Sequence, residues 1–74
     1  MTAQEIIDRL RQNFPDAEIQ ANDLTGGGDH WEVKISSKAF YNKSLVEQHQ
    51  MVYGALGAWM KKEIHALKLQ TSEK

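Results

Sequence analysis

Three histidines, His30, His49 and His65, stand in a chain of 74 residues that contains no cysteine. Imidazole is therefore the only borderline-soft donor the chain can offer a transition metal. Without a thiol there is no disulfide, no thiolate nucleophile and no thiolate ligand, so a metal held by the chain itself must use His, Asp or Glu. Position in the sequence singles out two of the three. His30 and His65 each stand where a strand is expected to open. If those strands are parallel neighbours, their starting ends share one edge of the sheet, and two imidazoles distant in sequence meet beside the loop Gly26-Gly27-Gly28. On residue type alone, His65 stays open between a ligand and a packed side chain hydrogen-bonded to a backbone carbonyl. His49, inside a helical stretch beside Val52 and Tyr53, reads as a capping or packing residue.

Nucleophilic catalysis and phosphate binding find little support. Ser36, Ser37 and Ser44 are the hydroxyls near turns, but none lies in a nucleophile-elbow setting, and Ser44 opens a helix cap. The triple glycine is followed by neither Gly-Lys-Ser/Thr nor a helix, which excludes a P-loop. The chain is not expected to be an enzyme.

The elements that must position the histidines follow from periodicity. Thr2-Ala3-Gln4-Glu5 is a capping box, and Ile6, Ile7, Leu10 and Phe14 then recur on one helical face, with Asp8, Arg9, Arg11 and Gln12 toward water. Pro15 ends that helix by disfavouring helical geometry at Phe14. Ala17 to Asp23 alternates weakly as a strand; Trp31, Val33 and Ile35 alternate cleanly against His30, Glu32 and Lys34. The glycines between them supply a hairpin loop, so these two strands pair antiparallel. Ser44-Leu45-Val46-Glu47 is a second capping box. The helix it starts presents Leu45, Val46, His49, Val52, Tyr53, Leu56, Trp59 and Met60 on a broad face and runs to about Lys62. Gly54 and Gly57 each cost about 1 kcal/mol in a helix interior, so the stretch stays open between one long helix and two short ones divided by a bend or break near that pair. Ile64 to Gln70 returns to strand character, and Thr71 to Lys74 reads as a polar tail.

A helical connection between the second and third strands is long enough for a parallel crossover. The expected fold is α+β, a two-layer sandwich in which a three-stranded mixed sheet is covered on one face by helices, as one domain over residues 1–74. Composition agrees, with 41% hydrophobic and 26% charged residues. No apolar run approaches the roughly 20 residues of a membrane span. Glu5 and Asp8 stand early, without the apolar core of a signal peptide, so a cytoplasmic protein is expected. The net charge of -1 conceals a dipole: residues 1–33 carry -5 and residues 34–74 carry +4. Such a distribution can orient a protein partner, while a pI near 6.3 falls short of a dedicated nucleic-acid binder.

The run Gln48-His49-Gln50-Met51-Val52-Tyr53, followed by Ile64-His65-Ala66-Leu67, resembles the signature of the BolA family. In that family a His-x-x-Val-Tyr helix leads into a strand opening with a hydrophobic-His-Ala-Leu element. Asp29-His30-Trp31-Glu32-Val33 is similar to its Ser-His-Phe-x-Val strand start, and Phe40-Tyr41-Asn42-Lys43-Ser44 to its Phe-x-Gly-x-Ser turn. Thr2 to Phe14 looks like its first helix, so the resemblance spans nearly all 74 residues. It implies the order αββααβ of a class II KH-like fold. It also implies an adaptor that binds a monothiol glutaredoxin and shares a [2Fe-2S] cluster with it and with glutathione, in cluster trafficking or iron and redox regulation. The chain alone would be a monomer, and with its partner a heterodimer.

His65 matches the family's iron-binding histidine, and imidazole ligation has a precedent in Rieske centres. Many family members place a second ligand, Cys or His, inside the first hairpin loop. Thr25 to Asp29 holds no soft ligand here. His30 is the nearest substitute, although it matches the family's strand-start histidine, which can equally be structural; Asp29 is a poorer match for iron. Lys61, Lys62 and Lys68 lie near the strand of His65 and would form a docking surface for the glutaredoxin.

The competing expectation is a nucleic-acid-binding transcriptional regulator using the KH-like fold, supported by Lys34, Lys38, Lys43, Lys61, Lys62 and Lys68. Against it, Gln48 and Gln50 occupy the arginine positions of the family's Arg-His-Arg element, which removes the bidentate phosphate donors. The Gly-x-x-Gly loop with which KH domains clamp a nucleic-acid backbone is also missing.

Overall fold

A computed structural model describes residues 1–74. The elements are α1 (Ala3–Asn13), β1 (Glu18–Asp23), β2 (His30–Ser37), α2 (Leu45–Leu56), α3 (Trp59–Lys62) and β3 (Ala66–Glu73), with a 3-10 turn at Lys38–Phe40. The αββααβ order that the resemblance implies and the mixed sheet expected from periodicity are both present. β2 is central: β1 pairs with it antiparallel and β3 parallel.

Both capping boxes form. Thr2 Oγ1 accepts from the Glu5 amide while Glu5 accepts from the Thr2 amide, and Ser44 and Glu47 repeat the arrangement on α2. Trp31, Val33 and Ile35 of β2 point into a core completed by Ile6, Leu10 and Phe14 from the first helical segment and by Val52 and Leu56 from α2. Full burial of such side chains is worth about 1.5–3 kcal/mol each, so these few residues supply much of the force that holds helices to sheet.

Several boundaries and faces differ from the sequence expectation. β3 begins at Ala66 rather than Ile64 and continues through Thr71 to Glu73, where a polar tail was expected. The reason is the neighbour: β2 offers a ladder as far as Ser37, which pairs with Glu73, and the Ser36 and Ser72 hydroxyls meet at 2.6 Å. The Lys74 ammonium donates to the Asp16 carbonyl, clamping the end of the chain at 2.6 Å. Ile64 is buried ahead of the strand as a plug.

The helix break falls at Gly57, whose φ of 58° is left-handed, while Gly54 stays helical. The apolar face of α2 is narrower than expected. Leu45, Val46 and Tyr53 are exposed, and Val52 and Leu56 are the residues it buries. A broad face needs packing partners on both flanks, and α2 lies over a single layer.

Arg9, expected to face water, donates from Nε to the Ala55 carbonyl at 3.1 Å and places its guanidinium 4.5 Å from the Trp59 ring centroid. It thereby pins the α2–α3 junction. Ser37, the one fully buried polar residue, donates to Asp16 Oδ1 at 2.8 Å and accepts from the Ala39 amide at 3.1 Å.

Candidate metal centre

Parallel pairing of His30 with Ala66 sets Asp29 opposite His65 at one end of the sheet. The Asp29 carbonyl accepts from the His65 amide at 2.8 Å and from the Ala66 amide at 3.3 Å, so the backbone itself locks the two strand starts together. The Asp29 side chain then stands between the rings. Its Oδ1 is 3.0 Å from His30 Nδ1, and its Oδ2 is 3.4 Å from His65 Nδ1. The first distance is a hydrogen bond and the second a looser contact. The ring centroids are 6.1 Å apart, edge to face.

Both rings are open to a partner: the His65 side chain is 63% exposed and that of His30 41%. The Asp29 carboxyl is held below the ordinary carboxylate range, chiefly by the hydrogen bond with His30, against a smaller opposing effect of burial and with lesser help from the charges of His30 and His65. It stays an anion at neutral pH.

The loop leading to this point is organised by a residue that periodicity did not single out. Asp23 accepts from the amides of Thr25 and Gly26 on Oδ1, at 3.2 and 2.9 Å, and from the Gly28 amide on Oδ2 at 2.8 Å. An aspartate two residues before Thr25 is an Asx-turn signal that could have been read in advance. The Trp31 indole donates to the Gly28 carbonyl at 3.0 Å, tying the loop to the core. Gly28, with φ of 76°, has no room for more: a Cβ there would stand 3.1 Å from the Met1 carbonyl oxygen.

The remaining candidates lie elsewhere. Lys61 and Lys62 are exposed on α3, just before the turn that delivers His65. Lys68 projects from β3, with its ammonium 3.5 Å from Glu32 Oε2, so part of its charge is answered within the chain. His49 stays apart from the pair on α2, with its ring edge-on to Tyr53 at 6.3 Å and a buried Nε2 without a hydrogen-bond partner. The one surface concavity is lined by Lys43, Glu47, Gln50 and Met51 and includes none of the histidines.

Residues 4–74 match the profile of the family described as BolA-like protein. The chain belongs to the BolA-like family. Human BolA-like protein 3 is 45% identical over 65 residues, covering 85% of this chain and 60% of its own length. The chain thus spans somewhat less than two thirds of that relative. An uncharacterized protein of Rickettsia prowazekii is 34% identical over 71 residues, covering 96% of this chain and 92% of that one. Among solved structures, BolA1 from Arabidopsis thaliana superposes with a TM-score of 0.87 at 27% identity, covering 96% of this chain and 89% of that one. The BolA domain of SufE1 from the same plant superposes at 0.86, also at 27% identity, covering 96% of this chain and 90% of that one.

No group of three or more His, Cys, Asp or Glu side chains forms a metal cage within this BolA-like chain. The donor set is two neighbouring imidazoles, each with Nδ1 toward Asp29 and Nε2 consequently on the far side of its ring. Nitrogen donors of this kind suit iron. Two of them are too few to complete a metal centre by themselves.

Proposed function

We propose that this BolA-like chain is a cytoplasmic, non-enzymatic adaptor that pairs with a monothiol glutaredoxin and holds a [2Fe-2S] cluster jointly with it, in cluster trafficking or iron and redox regulation. The observation that carries the reading is the convergence of His30 and His65, with rings 6.1 Å apart, from strand starts separated by the whole α2–α3 connection. In this reading His65 is the principal ligand and His30 the second. The glutaredoxin cysteine and glutathione supply the thiolates that this chain lacks.

The chain's own residues bind and orient. Asp29 holds the strand starts together through its carbonyl, Asp23 shapes the loop, and Ile64 anchors the turn that presents His65. Lys61 and Lys62 offer positive charge beside that turn for an acidic partner surface, with Lys68 contributing less because Glu32 faces it. When bound, a cluster with imidazole in place of thiolate supplies a redox centre of raised potential.

The test is reconstitution. The chain is mixed with a monothiol glutaredoxin, glutathione, ferrous iron and sulfide, and its visible absorption and circular dichroism are compared with those of the glutaredoxin alone. A new spectrum with the wild-type chain, lost with His65→Ala, supports shared ligation. A spectrum identical to that of the glutaredoxin alone removes it.

A further inference from the structure

We infer that the solvent side of α2 is a self-complementary surface on which two copies of this chain meet about a two-fold axis, each Lys43 against the partner's Glu47 and each Val46 toward the partner's concavity. The free chain, which the family resemblance would leave a monomer, is then in equilibrium with a dimer, independently of any cluster.

The surface begins with a stripe that carries no charge. Val46, Gln50, Tyr53 and Gly54 recur at i, i+4, i+7 and i+8 of α2, and all four are exposed. Val46 is 66% exposed and Tyr53 40%. The side of a surface helix that faces water ordinarily carries charged residues, but α2 contains no Lys, Arg or Asp, and Glu47 is its one carboxylate. Beside the stripe, Lys43, Glu47, Gln50 and Met51 line the one surface concavity, of about 290 Å3. Lys43 and Glu47 are opposite charges four residues apart, yet the ion pairs of the chain lie elsewhere. Glu47 accepts from the Ser44 amide on Oε1 at 3.0 Å, which leaves its other oxygen for a cation from outside.

These charges select the occupant. A nucleic acid or an anionic membrane needs a basic surface, and here one lysine is answered by one glutamate. A single charge of each sign on an otherwise uncharged patch is complementary to the same patch turned through 180°. In a two-fold interface residue i meets residue j and j meets i, so one Lys43–Glu47 contact implies a second. The same rotation carries the projecting Val46 toward the hollow of the other copy. Neither His30 nor His65 lines this surface.

The patch is much smaller than the roughly 20–30 residues that a standard interface uses on each side, so the dimer is weak and sedimentation equilibrium must extend to about 1 mM. The mass of the wild-type chain should rise from 8.4 kDa toward twice that value with concentration. Lys43→Glu and Glu47→Lys each turn both cross-contacts repulsive, and each variant alone should self-associate roughly 10-fold more weakly or less. Mixed in equal amounts they should form a heterodimer, because every contact between the two variants is again of opposite sign. Circular dichroism checks that Glu47→Lys keeps its helix after losing half of its capping box. Val46→Asp should abolish the dimer, whereas Leu45→Asp, one residue along and about 100° round the helix, should leave it intact. A wild-type chain that stays at 8.4 kDa throughout overturns the inference and leaves the surface to some other protein. So does a dimer indifferent to the charge reversals and to Val46→Asp, or a mixture of the two reversed variants that associates no better than either alone.

Discussion

Gly54 and Gly57 stand three residues apart in α2 and its cap, look equivalent in the sequence, and should respond to alanine with opposite signs. Gly54 has ordinary helical geometry, and a Cβ there would meet nothing within 4 Å. Alanine should therefore stabilise by about 0.5–1 kcal/mol, through the smaller entropy that the unfolded chain surrenders. Gly57 has φ of 58° and ψ of -130°, a region in which a side chain is strained by about 1–3 kcal/mol. The entropy gain offsets roughly 0.4–1 kcal/mol of that. An added Cβ would also stand 3.3 Å from an Arg9 guanidinium nitrogen, the group that pins Ala55 and Trp59. Displacing it removes a cation–π contact worth about 0.5–1 kcal/mol. The net expectation for Gly57→Ala is a loss of about 1–3 kcal/mol. For a chain of this size each kcal/mol moves the melting temperature by about 4–8 °C, so thermal unfolding followed by circular dichroism separates the variants easily. Urea titration supplies the free energies independently. A Gly57→Ala protein as stable as wild type, or a Gly54→Ala protein that melts lower, would refute the assignment of the helix break to Gly57.

Two further outcomes follow from packing and charge. Leu56→Ala should cost about 2–5 kcal/mol because Leu56 is fully buried, whereas Leu45→Ala on the same helix should lie within about 0.5 kcal/mol of wild type; equal losses in urea unfolding would contradict the narrow face of α2. The Asp16 carboxyl is held below its ordinary value of 3.8, first by the Lys38 amide and then by the Ser37 hydroxyl. A depressed folded-state value contributes stability that is present above 3.8 and is lost as pH falls through the folded value. Urea midpoints measured across that acidic window should fall less steeply for Asp16→Asn than for wild type, and identical slopes would remove Asp16 from the account.

Much of the architecture was legible because it depends on local rules. Two capping boxes, Pro15 after Phe14, and the alternation of Trp31, Val33 and Ile35 each specify an element without help from the rest of the chain. The features that escaped depend on neighbours. Thr71 and Ser72 are neutral as sequence and become strand because β2 offers them a ladder. Leu45, Val46 and Tyr53 lie at helical spacing with the core residues but have no layer above them. Arg9 reads as a surface charge until the Gly57 break brings Trp59 beneath it. At the candidate site, the meeting of His30 and His65 could be reasoned from two parallel strand starts. The place of Asp29 between the rings could not, because a carboxylate beside a histidine in sequence carries no sign of the second histidine it will face across the sheet.

Pulsed electron paramagnetic resonance of the reduced heterodimer, with histidine labelled by 15N in this chain only, tests the central claim most directly. The account predicts a strong 15N coupling to the cluster that vanishes in His65→Ala, and a second, distinct coupling that vanishes in His30→Ala. A reduced cluster with no coupling to labelled histidine, or with couplings indifferent to both substitutions, would contradict ligation by this chain.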